Sequence, residues 1–330
     1  MNSRFYTVAF VALGIGLFAL GLVANVLLDP EGILGTGVTA EAVSRNARYD
    51  KFTDYAKAAD QYDGLMFGSS RGPAIPRDEL SRRLNAHFAD FTAVGGTMTD
   101  YEPALRYVVS SKLRKGQRLK AVFLLLDLDN FGIAGPTGRT LQTMLPPEMT
   151  GESPVRFYWR YLSAFQFDAW RNAIRSAWRD GFARAWGLDI AWSTAAFAAE
   201  ATTLPQSGRP KVDLVARPWT PQEYAHQLEL LRSFVELCRQ HQVRLVVAAS
   251  PLHRRTAMLY GAEELARRRE GIAAITPIWD FGSPDWLSDR PDLWGDDSHF
   301  FTPVGRMMLD AIFDPDGGST PAGFGRLYGN

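Results

Sequence analysis

Residues 63–73 read Asp-Gly-Leu-Met-Phe-Gly-Ser-Ser-Arg-Gly-Pro and are followed by Ile75-Pro-Arg-Asp-Glu-Leu-Ser-Arg-Arg-Leu. A short apolar run, a Gly-rich turn and then helical spacing predict a strand-turn-helix unit. Ser70 falls at the expected helix start. A hydroxyl there caps the helix, or it is a nucleophile placed where unpaired backbone N–H groups stabilise a negative oxygen.

The same alternation continues outward from this unit. Strand-like runs at Phe88–Val94, Leu119–Leu126, Arg244–Ser250 and Thr276–Asp280 are separated by helical patterns at Tyr101–Leu113, Pro221–Gln240 and Ala262–Glu270, with a last helix at Pro303–Phe313. Alternation of this kind predicts βαβ units, a mostly parallel sheet and an α/β fold. Leu119–Leu126 is almost continuously apolar, as a strand covered on both faces requires.

Asn130–Pro218 breaks the pattern and holds five of the nine tryptophans, at 159, 170, 178, 186 and 192. It reads as a helical insertion, about 131–218, capping the sheet. Packing is the first reading of its tryptophans; sugar stacking and membrane contact are the others. The domain proper is expected over 62–313, after a linker and helix at 29–61. Residues 314–330, rich in Gly and Pro, are expected to fray.

Tyr6–Leu28 runs 23 residues without a charge. At ~1.5 Å per residue it is long enough for a hydrocarbon core of ~30 Å. The run ends in Val-Ala-Asn-Val-Leu-Leu-Asp-Pro with no small-x-small cleavage site, so an uncleaved anchor is expected. Arg4 precedes the helix and acidic residues follow it, which places the N-terminus in the cytoplasm and the remainder outside.

Lys plus Arg equals Asp plus Glu at 36 each, so no global field selects nucleic acid. Cys238, the single cysteine, lies on the apolar side of a helical pattern and reads as a buried structural thiol. No His-x-His or His-Glu-x-x-His is present, and neither a metal nor a cofactor is expected. Absence of Gly-x-x-x-x-Gly-Lys-Ser/Thr ranks a phosphate binder last.

Ligands of open α/β sheets bind beyond the carboxyl ends of the strands. Gly68-Ser-Ser-Arg, Ala93-Val-Gly-Gly, Asp127-Leu-Asp-Asn and Ser250-Pro-Leu-His all fall there. Among the five histidines, His299 stands in Asp296-Asp-Ser-His just ahead of the last helix. An Asp-x-x-His turn orients an imidazole toward a serine, or simply caps the turn. Asp292 and Asp297 compete for the carboxylate role. His253 is a candidate for meeting substrate, or a hydrogen-bonded turn residue.

Gly68-Ser69-Ser70 with Asp296-x-x-His299 resembles the SGNH (GDSL-like) hydrolase superfamily over roughly residues 62–313. With the apolar helix and Asp29-Pro-Glu-Gly, it is similar to its membrane-anchored members in bacterial polysaccharide O-acetylation. The resemblance implies a three-layer α/β sandwich (SGNH/flavodoxin-like) and a bacterial inner-membrane protein with its domain periplasmic or extracellular. It implies Ser70 as nucleophile, His299 as base and Asp296 as its orienting carboxylate. Ser70 and Ala93 or Gly95 would supply oxyanion N–H groups. The usual third block, Gly-x-Asn-Asp, has no match; Asp127-Leu-Asp-Asn stands there, with Asp127, Asp129 and Asn130 all open as the residue facing the site and Asn130 a candidate oxyanion donor. Arg71 and His253 are candidate substrate contacts. The implied partners are a polysaccharide or acyl-ester substrate and a membrane acyl-donor protein. The implied function is serine acyl hydrolysis or O-acyl transfer; a weakly active or inactive scaffold of a secretion complex is the alternative.

Overall fold

A computed structural model describes residues 3–36, 46–132, 144–171, 174–175, 178, 220–315 and 320–329. The chain divides into two units, Met1–Asp50 with Arg139–Phe197, and Lys51–Gly138 with Ala198–Asn330. Arg139–Phe197, the greater part of the expected insertion, groups with the N-terminal helix in this division. Within 131–218, the segments 133–143, 172–173, 176–177 and 179–219 lie outside the described residues, Trp186 and Trp192 among them.

In the larger unit, β1 (Gly64–Gly68), β2 (Phe88–Thr92), β3 (Ala121–Leu126), β4 (Arg244–Ala249), β5 (Ile278–Asp280) and β6 (Arg326–Tyr328) form one sheet in the order β2-β1-β3-β4-β5-β6. The first five strands pair in parallel, while β6 is antiparallel to β5. Chain direction across the sheet reverses between β1 and β3, the switch point where α/β sheets open a crevice.

Alternation along the strands sends side chains to two cores. Met66, Phe123 and Leu125 face Leu80 of α3 (Arg77–Leu84) and Val304, Met308 and Leu309 of the last helix, α9 (Thr302–Phe313). On the other face Phe67 meets Tyr101 of α4 (Met98–Arg114) at 5.6 Å and Phe234 of α6 (Pro221–Gln240) at 5.4 Å. The sheet is therefore covered on both sides, as the apolar run of β3 implies. Cys238 is buried on α6, and burial pushes its thiol up to about 12.

Gly305 fixes where α9 lies. A Cβ there would stand 2.1 Å from the Ala74 carbonyl oxygen, so only glycine lets α9 touch the turn that follows Ser70.

The tail does not simply fray. Phe324 is buried against Phe281 and Trp286, with ring centroids 4.9 and 5.5 Å away, and β6 follows it. Gly and Pro composition hides a three-residue strand and its aromatic anchor. Residues 316–319 and 330 lie outside the described residues.

In the smaller unit, α1 (Ser3–Leu28) contains the single span, Arg4–Leu28, long and apolar enough to cross a membrane among the described residues. The expected linker after it is folded where described. The Asp29 carboxylate accepts the Leu34 and Thr36 N–H groups and, at 2.7 Å, the Tyr161 hydroxyl of α5 (Pro154–Leu162). Asn25, fully buried, donates to the carbonyls of Leu162 and Ala164 and accepts from the Trp170 indole.

Glu31 is buried in the same cluster, and its Oε2 has no partner among the described residues. Burial first, then the neighbouring Asp29, push its carboxyl up to about 7. The neutral acid is thus the form the fold accommodates. Below its ordinary pKa it adds no penalty; as pH rises toward 7 the unfolded chain releases this proton first and stability falls, by about 3 kcal/mol in all. Glu31→Gln is expected to flatten that loss between pH 4.5 and 7 in thermal melts of the detergent-solubilised chain.

Candidate active site

The loops after β1, β2, β3 and β4 emerge along one edge of the sheet. In-register pairing brings Gly68 level with Thr92, and Leu126 level with Ala249. The four stretches singled out in the sequence thus leave the sheet together.

After β1 the chain does not enter a helix directly. A 3₁₀ turn spans Gly72–Ala74, and α3 starts only at Arg77. Pro76 is the cause, because the residue before a proline is driven out of the helical region, and Ile75 is extended at ψ 119°. Ser70 is therefore not the N-cap of α3, and no helix dipole of α3 acts on it. Its Oγ lies 2.8 Å from His299 Nε2 instead.

His299 Nδ1 lies 2.8 Å from Asp296 Oδ2. Asp296 Oδ1 also accepts the backbone N–H groups of Ser298 and His299, at 2.7 and 2.8 Å. Capping and orientation are thus one arrangement: the carboxylate that folds the turn also holds the ring. Burial opposes ionisation of Asp296, but the bonds from the His299 ring and the two backbone N–H groups outweigh it and hold the carboxyl below its ordinary range. Its rivals are engaged elsewhere, Asp297 with Arg255 and Asp292 with Arg290.

A pairing of Trp294 with Phe300 and a 2.7 Å bond from Gly295 N–H to the His299 carbonyl close the loop. Thr256 of α7 (Arg254–Tyr260) donates to the Asp297 carbonyl and fastens it from outside.

Arg71, expected to meet substrate, is buried with its donors engaged inside the protein. Nε donates to the Ser298 carbonyl at 2.7 Å. Nη1 and Nη2 grip Asp129 at 2.6 and 2.8 Å, and the remaining N–H groups reach Ser250 Oγ and Ser298 Oγ. Asp127 Oδ1 accepts from Ser250 Oγ at 2.7 Å and lies 3.2 Å from Arg71 Nη1. Desolvation disfavours the guanidinium charge, yet Asp127 and Asp129 together raise its pKa above the ordinary value. Asp129, against its own burial, is held low by Arg71.

Sequence reasoning missed this cluster. Its one signal was the pair of acids at the end of a buried strand, which need a cation.

Among the oxyanion candidates, Ala93 is excluded: its N–H donates to the Gly68 carbonyl at 2.9 Å. Gly95 sits at φ +61°, a conformation suited to glycine, and no partner engages its N–H among the described residues. The Ser70 N–H and the Asn130 side chain are likewise without partners there. These three groups are therefore unengaged among the described residues.

His253 caps α7, its Nδ1 accepting the Arg255 N–H at 3.2 Å, and its ring stands edge-on to Trp294 at 5.2 Å. Burial, opposed by Asp297, holds the imidazole below its ordinary pKa. That is the turn-histidine placement. Ser69 is also structural, buried with Oγ accepting the Arg71 N–H.

The site faces solvent: the His299 side chain is 42% exposed. Compared with protein-family models and with curated proteins, the chain matches none.

Arg71→Leu would strand two buried carboxylates and is expected to destabilise the larger unit by about 3–5 kcal/mol. Arg71→Lys keeps the charge but cannot reproduce the fork. It is expected to stay folded in urea titrations while losing the His299 NMR signature of the Ser70 contact.

Proposed function

We propose that this chain is a serine acyl hydrolase or O-acyltransferase of the SGNH type, held by α1 at the bacterial inner membrane with its larger unit in the periplasm, and acting on a cell-surface or exported polysaccharide. The observation that carries the reading is the relay from Ser70 Oγ through both nitrogens of His299 to Asp296, with both contacts at 2.8 Å.

The chemistry follows from those atoms. Ser70 Oγ attacks the carbonyl carbon of an acyl ester while its proton passes to His299 Nε2. The resulting oxyanion meets the N–H groups of Ser70 and Gly95 and the Asn130 amide, the kind of donor worth about 10²–10³-fold each. The bond to the leaving alcohol then breaks, and His299 returns the proton to that oxygen. Water or a sugar hydroxyl next attacks the acyl-serine, giving His299 its proton, which goes back to Ser70 as the acyl group departs. Asp296 remains ionised throughout and stabilises the imidazolium.

Exposure of the site supports a bulky acceptor, since a polymer must reach Ser70 without threading a deep pocket. A membrane anchor supports a substrate made or exported at that surface. A membrane acyl-donor protein is the natural source of the acyl group under this reading.

A serine-directed fluorophosphonate probe tests the nucleophile. Wild-type protein is expected to label and Ser70→Ala to remain unlabelled, with acetyl content of the surface glycan altered in a Ser70→Ala strain. Equal labelling of the two proteins, or none in either, would remove the nucleophile and leave a scaffold role.

A further inference from the structure

In the smaller unit, α5 presents three distinct sides. Phe157 and Tyr161 are fully buried. Arg156 and Arg160 occupy a second side. Val155, Tyr158 and Trp159, at helical spacing, form a third that is exposed at 79%, 36% and 56%. The chain beyond continues the apolar exposure through Phe165, Phe167 and Trp178. A soluble surface does not normally gather so many large apolar groups in one stretch.

Two contacts fix where this face lies along α1. The Phe18 ring meets Trp159 at 6.1 Å and Phe165 at 6.3 Å. Phe165 also covers Gly21, where a Cβ would come within 2.9 Å of its ring. If the hydrocarbon core begins after Arg4, its ~30 Å takes up about 20 residues and ends near Ala24. Phe18 then lies about 9 Å below that boundary, a depth at which interfacial helices rest, about 5–10 Å in. Asn25, with its cluster of carbonyl bonds, falls where the helix leaves the hydrocarbon.

Charge agrees with the same occupant. Residues 152–178 carry Arg156, Arg160, Arg171 and Arg175 against Glu152 and Asp168, a basic excess suited to anionic headgroups.

We propose that residues 154–171, together with Ile174 and Trp178, belong to a second membrane-contact element, an amphipathic aromatic segment lying at the outer headgroup/acyl boundary beside α1, with a bilayer containing anionic lipid as its partner. This rests on α1 spanning the membrane. The element would fix the exit point of α1 and hold the unit against the lipid surface, which a single helix on a flexible tether does not do. It also gives Trp159 and Trp178 the lipid contact that packing does not explain.

Spin labels on the full-length chain in phosphatidylcholine/phosphatidylglycerol vesicles provide the test. Val155→Cys and Trp178→Cys sit on largely exposed side chains, so the fold is expected to tolerate them, and buried Cys238 takes no label. Phe10→Cys reports on the span itself. Oxygen and nickel-chelate accessibilities are expected to place both 155 and 178 at the outer headgroup/acyl boundary, no more than about 10 Å into it, with 10 inside the hydrocarbon as well. A deep label at 10 with 155 and 178 in water would overturn the interfacial element and leave the span standing. Water exposure at 10 would overturn the span and this inference with it.

Discussion

The candidate site depends on one buried guanidinium. Arg71 follows Ser70 in the chain, and Ser298, which accepts two of its bonds, precedes His299. The two residues that must meet are therefore held through their immediate neighbours, although 229 positions separate them. Asp129 and Ser250 bring the ends of β3 and β4 to the same fork. A lysine offers one ammonium and could not span three loops. Burying such a charge is costly unless it is fully paired, and Asp127 and Asp129 supply that pairing.

The parallel strands were legible because their apolar runs are short, dense and bounded by turn residues. The Ser70, Asp296 and His299 trio was legible because each lies beside a strand end or a helix start. What escaped was set by groups distant in sequence. Arg71 was expected to contact substrate, and only the convergence of Asp129, Ser250 and Ser298 shows it to be interior. Ala93 looked like a free donor until β2 paired with β1 and engaged its N–H with Gly68. Pro76 was visible throughout, and its effect on Ile75 decides that Ser70 stands in a turn rather than at a helix cap. The three-residue β6 is too short for any periodic signal.

The smaller unit follows a different logic. Polar groups at the end of an apolar helix are expensive unless satisfied, and Asn25 and Asp29 satisfy theirs by gathering the chain around α5. Glu31 is the exception: its Oε2 has no partner among the described residues, and burial raises its carboxyl pKa. An expected linker becomes a folded base, and an expected cap contributes α5 to it. On the proposed reading, acyl transfer thus takes place in one unit and membrane attachment belongs to the other.

The central claim is that Ser70 becomes acylated. Mass spectrometry of the full chain after brief exposure to an activated acetyl ester, with peptide mapping, tests it most directly. One added acetyl group on the peptide containing Ser70, accumulating in wild type and lost in His299→Gln, is the predicted result. Acetylation confined to surface lysines, unchanged by His299→Gln, would contradict it.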